Sequence, residues 1–133
     1  FLFGDTTVND NEIEQEIQDK GLTAPRIMPA DLEANIASEH YFTASNGCLG
    51  RWQERFDTGQ TTAGTMQDVP VSLCLLTFCV LVLENGFTVT GESACASPEN
   101  FNAELGRKIA RQNAVAKVWP LMGYELRSKL ANQ

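Results

Sequence analysis

This sequence of 133 residues has one histidine, four cysteines, two tryptophans and two tyrosines. Each scarcity removes a class of chemistry. With His40 as the lone imidazole and no CxxC spacing among Cys48, Cys74, Cys79 and Cys95, a structural zinc site lacks ligands. There is no phosphate loop of the Walker type and no dinucleotide fingerprint, and GESACASPEN holds a single glycine. No apolar run reaches spanning length: VPVSLCLLTFCVLVL, 69–83, falls short of the roughly 20 residues a helix needs to cross a bilayer. It reads as a core strand, and no membrane partner is expected. Positive charge is also short, with 10 Lys and Arg against 17 Asp and Glu, a formal net charge of −7. A nucleic-acid binder or an anionic-membrane binder needs the opposite balance over a face. Cys74 and Cys79 lie in an apolar run, where a thiol acts as a small hydrophobe, so reduced cysteines and a cytoplasmic setting are expected. No signal-peptide pattern opens the sequence as it stands, and Phe1 in place of methionine leaves an upstream start open.

What is present is enough for one domain with its own core, 43% of residues being hydrophobic. The charge is unevenly spread. Asp5, Asp10, Glu12, Glu14, Glu16, Asp19, Asp31, Glu33 and Glu39 face only Lys20 and Arg26 in the first third. In the last quarter Arg107, Lys108, Arg111, Lys117, Arg127 and Lys129 face only Glu104 and Glu125. A cationic C-terminal part inside an acidic protein suits a small anionic ligand; an ordinary solvated helix face has the same composition.

The expected elements follow from periodicity. NDNEIEQEIQDKG, with Ile13 and Ile17 one turn apart, Asp10 as cap and Gly21 as stop, predicts an amphipathic helix. MPADLEANIASEHYF predicts a second, started by Pro29, striped by Leu32 and Ile36 and ending near His40. The stretch 44–68, rich in Gly, Thr, Gln and Asn, predicts a long loop with one helical turn around 51–56, anchored by Trp52 and Phe56. A hairpin over 71–93 follows, with an apolar first strand, Glu84-Asn85-Gly86 as a type I′ turn and FTVTGES returning. Ser97 and Pro98 predict the start of a helix carrying Phe101, Leu105 and Ile109 towards Trp119. Pro120 breaks or kinks it before a last helix, LMGYELRSKL. The fold class is α+β: a single domain, 1–133, with a small antiparallel sheet covered by helices. Segment 1–43 reads as N-terminal helices suited to oligomerisation, and 69–133 as the core. Two strands are marginal alone, so the loop or a second copy must extend the sheet.

For catalysis, Ser38 and Glu39 are too close in sequence to His40 to face it on a helix. Cys95, just before a helix start, is either an activated thiol or a buried structural one, and no base neighbours it. An enzyme is not expected, and no cofactor is called for. Binding chemistry is better provided. Thr90, Ser93 and Ser97 supply hydroxyls beside a helix start. Arg107 and Arg111, one turn apart, can form a guanidinium pair, with Arg127 completing a cationic wall. Phe101 or Tyr124 can stack on a base. Each has a plainer role: Ser97 as a cap, Phe101 in the core, the arginines bridging to acids of the N-terminal helices.

The run LTFCVLVLENGFTVTGESACASPENFNAELGRKIARQNAVAKVWPLMGYELRSKL, with EANIASEHYFTA upstream, resembles a family of small proteins from tailed bacteriophages and prophages. That family includes the Thoeris anti-defence sponges. The resemblance covers about two thirds of the chain and is densest over 85–127; the first 25 residues and 44–68 match poorly. It implies a protein that binds cyclic ADP-ribose isomers made by bacterial immune TIR enzymes, and in some members cyclic oligonucleotides, without cleaving them. It also implies a homo-oligomer built from dimers, up to a hexamer, with ligands at subunit interfaces in the host cytoplasm. On this reading the ligand meets Thr90, Ser93, Phe101, Arg107, Arg111, Tyr124 and Arg127. Two other readings stand beside it: an inhibitor that docks the acidic Glu12, Glu14 and Glu16 face onto a host protein, and a hydrolase or lyase acting on the same nucleotides.

Overall fold

The computed structural model describes residues 9–22, 24–63 and 69–133. Helix α1 (Asp10–Asp19) and helix α2 (Pro29–Ala34) precede strand β1 (Ile36–Thr43) and helix α3 (Ala44–Asp57). A single turn, α4 (Val71–Cys74), leads into strands β2 (Leu76–Leu83) and β3 (Thr88–Ala94), and helix α5 (Ala103–Ala131) closes the chain. The three strands form one antiparallel sheet in the order β1-β2-β3. The α+β class with a small antiparallel sheet and helices is as the sequence predicted.

Central strand β2 sets the layers. Thr77, Cys79, Leu81 and Leu83 are buried, whereas the residues between them, Leu76, Phe78, Val80 and Val82, are half-exposed on the opposite face. The period of two puts the first set against α5, which packs on β3 and β2. Leu32, Cys79, Leu81, Leu83, Val89, Ala110, Ala114, Val115 and Val118 make the core. Every buried residue of α5 lies between 106 and 118, and Leu121 and Tyr124 beyond them are exposed. Gly91 is the closest approach between layers: a Cβ there would sit 2.2 Å from Ala110 O and 2.3 Å from Ala114 N. The small residues Ala110 and Ala114 complete that contact.

The third strand comes from neither expected source. Residues 36–43, the first of which the sequence assigns to a helix ending near His40, pair with β2 from Ile36↔Leu83 to Thr43↔Thr77, with a register shift between Ile36 and Ser38. The segment supplies the sheet with an edge that a free β2 would leave unpaired, and His-Tyr-Phe-Thr favours a pleated surface. Tertiary pairing outweighs the helical spacing of Leu32 and Ile36, and α2 stops at Ala34.

Further expectations need correcting, among them the first hairpin strand, which starts at Leu76 because Val71–Cys74 is a helical turn. The long loop is mostly a helix of 14 residues, α3, started by a reciprocal cap in which Thr43 Oγ1 accepts from Asn46 N (3.3 Å) and Thr43 N donates to Asn46 Oδ1 (2.8 Å). Its last part, 64–68, lies outside the described residues. The hairpin turn is not of type I′: Glu84 and Asn85 keep negative φ, and Gly86 alone is left-handed, at φ 89°. Gly86 N donates to Leu83 O (2.8 Å) and Leu83 N to Phe87 O (2.8 Å), so the loop has three residues with glycine in the αL position. Ser97 makes no side-chain cap; Pro98–Asn100 is a 3-10 turn, and Asn102 Oδ1 caps α5 by accepting from Leu105 N (2.9 Å). Finally, α5 runs unbroken through Pro120, whose exposed position lets water meet the carbonyl left without a donor one turn earlier.

Helix α1 is tied on by a few polar contacts, whereas buried Leu32 anchors α2 in the core. Asn9, not Asp10, caps α1, and Gly21 ends it at φ 68°. Arg26 clamps Glu14 with two guanidinium nitrogens, and Trp119 Nε1 donates to Asp10 Oδ2 (3.0 Å). No helix among the described residues is long and apolar enough to cross a membrane.

Candidate functional site

The hydroxyls come first. Thr90 is exposed on the open face of β3, whereas Ser93 faces α5, is 1% exposed, and its Oγ has no hydrogen-bond partner among the described residues. Strand alternation therefore separates the two by a sheet thickness. Phe101 is half-buried at the end of the 3-10 turn.

The arginines differ from one another. Arg111 is held between two carboxylates: Nη2 donates to Glu33 Oε2 (2.8 Å), and Nε and Nη2 donate to Glu39 (both 3.1 Å). Glu33 is on α2 and Glu39 on β1, so Arg111 fastens both to α5. The plainer role foreseen for the arginines is the one Arg111 fills. Hydrogen bonds from Arg111, then from the Tyr41 hydroxyl (2.7 Å), hold the Glu39 carboxyl below its usual range. The same two carboxylates raise the Arg111 guanidinium further. Burial, then the bond to Glu39, pushes the Tyr41 phenol up, and burial raises the neighbouring Cys79 thiol.

Arg107 and Arg127 are exposed and have no carboxylate partner among the described residues. They are 20 residues apart on one continuous helix, about 30 Å along its axis and about 200° around it. Tyr124 is 78% exposed on the same distal half. The seven predicted residues therefore do not converge within one protomer. Arg107 and Arg111 remain neighbours, with one of the two charges already neutralised.

Two concave regions flank these residues. A cleft of about 620 Å³ between α1, α2 and α5 is lined by Asp10, Glu33, Arg111, Asn113 and Trp119. Its two carboxylates and engaged guanidinium give an anion little attraction. A second hollow of about 520 Å³ lies where α3 crosses the open face of the sheet, lined by Phe42, Phe78, Leu49, Trp52, Arg51 and Arg55 among others. Sequence reasoning noted Trp52 and Phe56 as anchors of a loop and missed this hollow. The available signal was Leu49, Trp52 and Phe56 at helical spacing behind Thr43-x-x-Asn46.

No cluster of three or more His, Cys, Asp or Glu able to hold a metal occurs among the described residues. All four cysteines are free, Cys48 and Cys74 exposed, Cys79 and Cys95 buried. Cys95 Sγ donates to Ser97 O (3.1 Å), which fixes it as part of the turn.

Fold and surface together define a small α+β protein, a three-stranded sheet backed by one long helix that carries several exposed cations. The chain belongs to the Phage protein (N4 Gp49/phage Sf6 gene 66) family, whose pattern matches residues 27–130. That span takes in everything from α2 through nearly all of α5 and leaves α1 outside. No curated protein and no solved structure was found to match the chain.

Proposed function

We propose that this protein is a phage anti-defence sponge, a homo-oligomer that sequesters cyclic ADP-ribose isomers in the host cytoplasm without cleaving them. Membership of a phage protein family agrees with this reading, and the resemblance over 85–127 supports it. The observation that carries the reading is the pair of uncommitted guanidiniums, Arg107 and Arg127, exposed towards the two ends of α5 in a chain of net charge −7. Unpaired cations in an acidic protein draw a small dianion such as a pyrophosphate and repel long polyanions.

Their separation gives the reading its geometry. One ligand spans nothing like 30 Å, so each site combines Arg107 of one protomer with distal α5 residues, Tyr124 and Arg127, of another. The distal part of α5, exposed beyond the sheet, is available for that. Arg111 acts on the site indirectly, by holding α5 against β1 and α2.

The test is titration of a cyclic ADP-ribose isomer into wild type, Arg107→Ala and Arg127→Ala. Each substitution is expected to weaken binding about tenfold or more while leaving the unfolding midpoint unchanged. Unchanged affinity in both variants would remove α5 from the site. The alternative, a protein that inhibits a host protein through its acidic helix, has less support: Glu14 is clamped by Arg26. Capture of a host protein that is lost when Glu12, Glu14 and Glu16 are neutralised would favour it.

A further inference from the structure

The hollow between α3 and the open face of the sheet contains none of the α5 residues, and its chemistry is different. Its floor is aromatic. Phe42 and Phe78 stand opposite each other on β1 and β2 with ring centroids 5.8 Å apart, and Phe42 remains 42% exposed. Trp52 comes in from α3, stacked on Phe56 at 5.3 Å and 15°. The Trp52 indole Nε1 is buried and has no hydrogen-bond partner among the described residues. A buried N–H donor without an acceptor is uncommon, since leaving it unpaired costs about 1–3 kcal/mol.

The rim is cationic. Among the described residues Arg55 has no carboxylate partner and Arg51 meets Glu54 alone, at 3.6 Å with both side chains more than half exposed. Such a surface pair is worth little and gives way readily to a better anion. The other acid of α3, Asp57, accepts from Gln53 (2.8 Å). Two guanidiniums beside an apolar floor are a local reversal of the sign of the whole chain. At about 520 Å³ the hollow falls in the range of small-molecule sites.

We infer that this hollow is a binding site for a planar aromatic ring bearing an anionic group, the ring lying on Phe42, Phe78 and Trp52 and the anion meeting Arg51 and Arg55. Ring faces stack on the aromatic floor. The guanidiniums supply bidentate bonds to phosphate or carboxylate alike. A purine nucleotide and an aromatic carboxylate share this chemistry. The inference stands apart from the sponge reading, because no residue of α5 lines the hollow.

The experiment follows the indole N–H resonances of the full chain by ¹⁵N NMR, where two signals are expected, from Trp52 and Trp119. A Trp52→Phe variant assigns them. The probes are adenosine monophosphate, adenosine, ribose 5-phosphate and 2-naphthoate at millimolar concentration. Adenosine monophosphate is expected to move the Trp52 signal and leave that of Trp119, with adenosine and ribose 5-phosphate each about tenfold weaker. A response to 2-naphthoate as strong as that to the nucleotide identifies the carboxylate source; a response confined to the nucleotide identifies the phosphate source. Arg51→Gln combined with Arg55→Gln is expected to weaken the anionic probes about tenfold and leave adenosine unchanged, with the urea midpoint unmoved. No Trp52 shift with adenosine monophosphate or with 2-naphthoate, equal shifts at both tryptophans, or undiminished binding by the glutamine variant overturns the proposal. Loss of the α5 site by the Arg107 and Arg127 substitutions leaves the Trp52 response in place, so the two readings fail separately.

Discussion

Replacing Gly91 by alanine adds one methyl group at the tightest point between sheet and helix. The new Cβ falls 2.2 Å from Ala110 O, 2.3 Å from Ala114 N and 2.9 Å from Ala114 Cα, all of them backbone atoms of α5. Carbon needs about 3.5 Å to such atoms, and a helix backbone cannot turn aside as a flexible side chain can. Either β3 or α5 must shift, and with it the contacts of Val89, Val115 and Val118. Overpacking of a core costs about 1–3 kcal/mol when side chains absorb it; here the cost is expected at about 3 kcal/mol or more. For a domain of this size, with stability of order 10 kcal/mol and a urea slope of about 2 kcal/mol/M, the midpoint falls by about 1.5 M. Gly123→Ala is the control, because nothing lies within 4 Å of a Cβ there and the site is within α5. It should stabilise by about 0.5–1 kcal/mol through helix propensity alone. The assay is urea unfolding followed by circular dichroism on both variants. A Gly91→Ala midpoint equal to wild type would refute the packing of α5 on β3.

Arg111→Ala removes the fastener between α5, β1 and α2 and is expected to cost about 1–2 kcal/mol. Because the folded Glu39 carboxyl titrates below its ordinary value, the unfolded chain binds the more protons in mild acid. This contribution is complete above the unfolded carboxyl pKa and is lost as pH falls through the folded one. Urea midpoints between pH 6 and pH 3 should fall more steeply for wild type than for Arg111→Ala; parallel slopes would remove Glu39 from the acid response. Asn102→Ala, which deletes the cap of α5, should lower stability by about 1 kcal/mol, whereas Ser97→Ala should change it by under about 0.3 kcal/mol. The reverse order in thermal unfolding would move the start of the helix back to Pro98.

The parts of the fold that were legible in the sequence are those where local pattern and tertiary contact agree. The alternation in FTVTGES and the apolar run before it mark β3 and β2, and Leu105 and Ile109 mark α5. Where two local signals compete, the sequence misleads. Pro29 with Leu32 and Ile36 reads as a helix, yet from Ile36 onward pairing with β2 decides the conformation, a contact between residues some 40 apart in sequence. Gly47 and Gly50 hide α3, although Thr43 and Asn46 mark its start. Ser97-Pro98 is the stronger-looking helix start and Asn102 the real one. At the candidate site, exposure of Arg107 and Arg127 was readable from composition. The capture of Arg111 was not, because its two acids come from separate segments. The aromatic hollow was hidden for the same reason, with Phe42, Phe78 and Trp52 spread over three elements.

The central claim, sequestration of an intact signalling nucleotide, is tested most directly by native mass spectrometry of protein purified from cells that express an active TIR immune enzyme. Denaturation then releases any bound small molecule for identification. The account predicts an oligomer carrying a cyclic ADP-ribose isomer of unaltered mass. An empty protein, or one holding only a cleaved product, would contradict it.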